Sequence, residues 1–114
     1  MIAQVRPSEL DAWLQQQPAN PVLLDVREPW EVATAALRVP GSTALDIPMN
    51  EIPARIGELT ELAEQQSIVC ICHHGARSAQ VVAFLMRQGV TPVYNLAGGI
   101  DAWSTHVDPS VPRY

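Results

Sequence analysis

The stretch Ser67–Cys72, SIVCIC, runs through Ile68–Cys72 without a polar position on either side. A strand apolar on both faces must be covered on both, which is the habit of a parallel sheet flanked by helices. Pro21–Val26, PVLLDV, has the same character and ends beside an acid, Asp25. Thr91–Asn95 reads as a further strand, with shorter ones at Ala3–Val5 and Thr43–Asp46. Between them lie helical patterns. Ser8 is the expected N-cap of a first helix, with Leu10, Trp13 and Leu14 as its stripe to about Gln17. REPWEVATAAL is a short helical or irregular segment, and Glu51–Gln65 holds one or two helices with Pro53 near the first start. Ala76–Gln88 carries Ala79, Val82, Ala83 and Met86 on one predicted face, with Gly89 as the C-terminal stop. LAGGIDAW is a tight turn into a short helix, and VDPSVPRY is a tail ordered by docking. Strands alternating with helices predict an α/β fold with a parallel sheet and helices on both faces.

Composition narrows the class. The 114 residues, 47% hydrophobic and 17% charged, fit one globular domain spanning 1–114. A net charge of −5 argues against nucleic acid or an anionic membrane as partner. All seven basic residues are Arg, so Schiff-base chemistry and a phosphate-loop Lys are excluded. No apolar run reaches membrane-span length, and the N-terminus lacks the apolar core of a signal peptide. Two cysteines one residue apart cannot make a disulfide framework. The expectation is a soluble cytoplasmic protein with free thiols, a monomer or weak dimer.

In α/β sheets, sites gather at the C-terminal ends of strands. Cys72 stands at such an end, followed by His73, His74, Gly75, Ala76, Arg77 and Ser78, CHHGARS. A sharp turn through Gly75 into a helix aims backbone N–H groups inward and makes an anion nest. A cysteine there is a nucleophile, because the nest favours the thiolate. Cys70, inside the strand, reads as core. CICHH offers too few ligands at the wrong spacing for structural zinc, so no metal is expected. A Cys70–Cys72 redox pair is disfavoured by strand geometry. His73 and His74 are expected on the rim, where they tune charge, meet a partner or stand as exposed bystanders. Asp25 and Arg27 either buttress the loop or form a local cap or ion pair. Gly98 and Gly99 serve a turn, and with no Gly-x-Gly-x-x-Gly no cofactor is expected. Trp13, Trp30 and Trp103 are expected to pack, with Trp30 a possible liner of the rim.

These motifs resemble the rhodanese sulfurtransferases. CHHGARS is similar to their active-site loop, Cys-x-x-Gly-x-Arg-Ser. LLDVREPWE, from Leu23 to Glu31, resembles the first signature and VYNLAGGIDAW, from Val93 to Trp103, the C-terminal one. The family's Gly-His-Ile-x-Gly-Ala is LRVPGS here, with Leu37 and Arg38 at the Gly and His positions. The resemblance implies a five-stranded parallel sheet flanked by helices. It also implies that Cys72 takes a sulfane sulfur from a small donor, thiosulfate or a persulfide, and passes it to cyanide, a thiol or a protein acceptor. Loop amides from His73 through Ser78 would hold the persulfide, and Arg77 would frame the loop, its other reading being a purely structural pairing with an acid. Phosphatases of the same fold use a loop one residue longer, because phosphate needs a wider ring of donors than one sulfur. A non-catalytic regulatory module is the other reading that the fold allows.

Overall fold

The structure is a computed structural model that describes residues 2–114. Five strands form one parallel sheet: β1 (Ala3–Val5), β2 (Val22–Asp25), β3 (Thr43–Asp46), β4 (Ile68–Ile71) and β5 (Val93–Leu96), in the order β1-β5-β4-β2-β3. The helices are α1 (Leu10–Gln15), α2 (Pro29–Thr34), α3 (Ile56–Ala63), α4 (Ala76–Arg87) and α5 (Gly99–His106). Among the described residues, no helix is long and apolar enough to cross a membrane.

The two-residue period of the strands divides the core into two layers. Val22, Leu24, Ile68 and Cys70 pack with Leu59 of α3 and with Val81, Val82 and Leu85 of α4. Leu23, Val69 and Ile71 pack with Leu10 and Leu14 of α1 and with Ile100 and Trp103 of α5. All four residues of β2 and of β4 are buried, as apolar runs covered on both faces require. Leu37 is buried in the second layer, while Arg38 lies exposed and faces Asp46 at 3.4 Å. The unusual residues of this connection are therefore accommodated, one as core and one at the surface.

Two local expectations need correction. Ser8 does not cap a helix: it lies inside a 3₁₀ turn, Pro7–Glu9, and α1 starts at Leu10 without a side-chain cap bond. The Pro at the first position of the turn starts it without help from a capping hydroxyl. The buried face of α4 is Ser78, Val81, Val82 and Leu85, not the stripe through Ala79 and Met86, and Met86 is 41% exposed. The preceding loop sets the phase of this helix. It turns Ser78 inward, and every later position follows at 3.6 residues per turn.

β4 lies between β5 and β2 in the sheet. The chain leaves β2 toward β3 and leaves β4 toward β5, on opposite sides, so a crevice opens at their C-terminal ends. The loop after β4 is anchored there by α5. The Ile100 amide donates to the Cys72 carbonyl at 2.9 Å, and the Asp101 amide to the His73 carbonyl at 3.0 Å. Gly99, at φ +64°, lets α5 come this close: a Cβ there would overlap both carbonyl oxygens.

Gly99→Ala is therefore expected to lose about 2 kcal/mol or more, from overpacking together with a left-handed backbone. A urea titration would show it, and an unchanged midpoint would refute the close approach.

Candidate functional site

With the carbonyls of Cys72 and His73 taken by α5, the following amides turn toward the sulfur. Gly75 N–H donates to Cys72 Sγ at 3.0 Å and Ser78 N–H at 3.3 Å. Gly75 makes the turn at φ +99°, and a Cβ on it would come within 3.1 Å of the Gly98 amide. No other backbone N–H among the described residues bonds this sulfur. Ser78 opens the first turns of α4, so the positive end of that helix faces Cys72 as well. Cys72 is only 1% exposed. Cys70 is fully buried, and burial pushes its thiol far up, so it stays protonated. Both cysteines are free.

The Ser78 hydroxyl lies 3.2 Å from Cys72 Sγ and 2.5 Å from Asn95 Oδ1. Asn95, 2% exposed on β5, turns its Nδ2 to the Gly75 carbonyl at 3.2 Å and to Gln4 Oε1 at 3.0 Å. A carbonyl can only accept, so Asn95 Oδ1 must face Ser78 and take its one hydroxyl hydrogen. Ser78 then turns a lone pair toward Cys72. Asn95 thus fixes both the Gly75 peptide and the hydroxyl beside the sulfur. A polar residue in a buried strand, just before the Gly pair, was the sequence signal for it.

Arg77 turns away from the cradle. It grips Glu31 of α2 with both terminal nitrogens, at 2.7 and 2.8 Å. Glu31 also accepts from the Glu28 amide at 3.1 Å and from the Tyr114 hydroxyl at 2.8 Å, so its acceptor sites are filled. Its contact with Arg77 outweighs burial and, with Tyr114 and the backbone, holds the Glu31 carboxyl at about 2, against an ordinary 4.5.

Asp25 does not reach the loop amides. It pairs with Arg27, Nε to Oδ1 at 2.9 Å and Nη2 to Oδ2 at 2.6 Å. Arg27 also donates to the carbonyls of Ala35 and Glu31 and, at 2.8 Å, to the Tyr114 hydroxyl. The pair is local, yet it connects to the loop through Tyr114, Glu31 and Arg77. Sequence reasoning assigned no role to Glu31 or Tyr114. Glu31 stands one turn after Arg27 on α2, a weak signal, and Tyr114 left none, being 83 residues from Glu31.

The tail docks as expected, onto the rim. Tyr114 stacks on His73 at 4.0 Å, and His73 on His74 at 3.9 Å. Trp30 meets Tyr114 edge-on at 6.0 Å but is 63% exposed, so it lines the rim instead of packing in the core. Trp103 is buried, and Trp13 packs against Tyr94. His74 lies exposed and Ala76 outward at the start of α4. Burial, and then the neighbouring His74, push the His73 imidazole below its ordinary 6.5, so it is neutral at neutral pH.

His73, His74 and Asp101 bring possible ligand atoms within 4.8 Å of one another. They are not arranged to hold a metal. The two imidazoles are stacked at 25°, and stacked planes share no point at a ligand distance of about 2 Å. Asp101 is already engaged by Arg113 through both oxygens, at 2.9 and 3.3 Å.

Comparison with known proteins agrees with this geometry. The rhodanese-like domain family matches residues 6–106. A protein named sulfurtransferase from Allochromatium vinosum is 41% identical over 90 residues, 79% of this chain and 78% of that protein. Thiosulfate sulfurtransferase GlpE of Coxiella burnetii is 31% identical over 87% of this chain and 86% of its own length. Among solved structures, the rhodanese-like domain protein of Staphylococcus aureus superposes with a TM-score of 0.72 at 28% identity, covering 90% of this chain and 91% of that one.

Two measurements check the network around Glu31. Glu31→Gln should lose about 1–2 kcal/mol at pH 7, a modest value because the Arg77 side chain is 37% exposed. A depressed carboxyl gives stability that is complete above its unfolded value, near 4.5, and lost as pH falls through about 2. The gap between wild type and variant in denaturant titrations should therefore close across that window. Tyr114→Phe leaves an Arg27 N–H unpaired and should lower stability by about 1–2 kcal/mol; a wild-type midpoint would show the tail to be undocked.

Proposed function

Since the chain belongs to the rhodanese-like family, and its named relatives include sulfurtransferases, we propose that it moves a sulfane sulfur through a persulfide on Cys72. The observation that carries this reading is the cradle: one buried sulfur facing the Gly75 and Ser78 amides at 3.0 and 3.3 Å. In this reading the Cys72 thiolate attacks the outer sulfur of a donor R–S–SH or of thiosulfate. The donor's S–S bond breaks, Cys72–S–S⁻ forms, and a thiol or sulfite leaves. A thiol or cyanide then attacks the outer sulfur and frees Cys72. The amides of His73, His74, Ala76 and Arg77 make no bond to the unmodified sulfur. They belong to the same turn, and a second sulfur extends the anion into it.

Arg77 in this reading is a positioning residue that ties the loop to α2 through Glu31. Asp25 and Arg27 stand one contact further out. No cofactor enters the scheme. The chain works as one unit over residues 1–114, as a monomer or weak dimer in a reducing compartment such as the cytoplasm, where its thiols stay free.

Mass spectrometry of the intact protein after thiosulfate or persulfide treatment tests this. Wild type should gain one sulfur, removable by cyanide or dithiothreitol, and Cys72→Ala should gain none. A wild-type chain that stays unmodified with both donors would sink the proposal.

A further inference from the structure

Every arginine around the mouth of the site is matched by an acid. Arg27 is paired with Asp25, Arg77 with Glu31 and Arg113 with Asp101. The facing rings of His73 and Tyr114 carry no charge at neutral pH, since burial lowers the one imidazole and raises the phenol. The chain as a whole carries −5. Arg77 is the one of these arginines whose backbone belongs to the cradle, and its charge and that of Cys72 act on each other. Its guanidinium is turned to a carboxylate that is only 5% exposed and already filled with donors.

The consequence lies in the charge of the incoming donor. Thiosulfate brings two negative charges to a sulfur that must itself be anionic to attack, and sulfite leaves as a dianion. Charge balances, but the repulsion peaks as the new S–S bond forms. The amides face the Cys72 sulfur itself, so an uncompensated cation at the mouth is what would offset the donor's own charge. A hydropersulfide reacts without that repulsion. The thiolate attacks neutral R–S–SH, the R–S bond to the outer sulfur breaks, and R–S⁻ leaves.

We propose that Glu31 is a specificity-determining residue, and that by neutralising Arg77 it makes this site one for persulfide donors of low charge and a poor one for the thiosulfate dianion. The inference rests on the Cys72 sulfur-carrier reading and assigns its donor class. Glu31 acts through Arg77 and touches neither donor.

Single-turnover loading of Cys72, followed by intact mass, reads the donor step without the acceptor. The donors are thiosulfate and the persulfide of 2-mercaptoethanol, whose carrier group is uncharged and whose neutral R–S–SH form is the electrophile. Wild type should load from the persulfide at least about tenfold more efficiently than from thiosulfate. Glu31→Gln keeps the shape but gives up one of the two acceptor atoms, and it frees the Arg77 charge. It should raise thiosulfate loading about fivefold, through a lower half-saturation concentration, and leave the persulfide within about twofold. That gain should vanish at about 0.5 M salt, because the attraction is screened. Arg77→Gln provides the opposite sign: it exposes the Glu31 charge and should lower the thiosulfate-to-persulfide ratio about fivefold. A structural disturbance would move both donors together, and in the same direction in both variants. Equal changes for the two donors, a gain that persists in salt, or a wild type that prefers thiosulfate would overturn the inference while leaving the sulfur carrier intact. No loading of the wild type from either donor would overturn both.

Discussion

The Arg27 guanidinium, 1% exposed at the end of β2, is the interaction on which the surroundings of the site depend. It has five N–H groups, and each one is bonded: to Asp25, the carbonyls of Ala35 and Glu31, and the Tyr114 hydroxyl. A buried guanidinium tolerates no missing partner, because an unpaired charge away from water costs several kcal/mol. This demand holds a strand end, both ends of α2 and the tail in one arrangement. Its value lies in uniqueness more than in net stability, since buried ion pairs about break even against apolar packing. From Tyr114 the chain of bonds continues through Glu31 to Arg77, the second residue of α4.

The sulfur is held by a second, independent support. On one side α5 takes the carbonyls of Cys72 and His73, and on the other Asn95 takes the carbonyl of Gly75. A peptide whose oxygen is held outward has its N–H directed inward. The cradle is thus built by bonding the outside of the loop, with glycines at the two points where a Cβ would prevent the approach. Two amides already face the sulfur, while the Ser78 hydroxyl gives its hydrogen to Asn95. Amides held this way are the kind of electrostatic preorganisation that favours charge at a fixed place. The two supports meet at Arg77–Ser78. One residue faces the α2 network and the next faces the sulfur, so the loop's shape and the charge at its mouth are set by different partners.

Much of this was legible in the sequence. The strands lie within a residue or two of their apolar runs, because a run buried on both faces has no other place in a small α/β fold. The order of motifs placed Cys72, Gly75 and Ser78 in one turn. The face of α4 was misplaced because apolar periodicity alone does not show how a preceding loop sets helix phase. Ala79 and Met86 fit the stripe, but Ser78 is the residue turned inward. Asp25 and Arg27 were left between a buttress and a local pair. They are the local ion pair, and the remaining Arg27 donors reach outward to α2 and Tyr114.

Sequence by itself determined the covered parallel sheet, the turn after β4 and the presence of a cysteine in it. Those features follow from local chemistry: side-chain pattern, strand period and the backbone freedom of glycine. Only the tertiary structure decided that Arg77 faces Glu31, that Asn95 orients Ser78, and that Tyr114 stacks on His73. These contacts join residues 46, 17 and 41 positions apart. No local rule selects such partners. The first two are chosen by the demand for partners among buried polar groups once the sheet has brought the strand ends together, and the third by ring stacking.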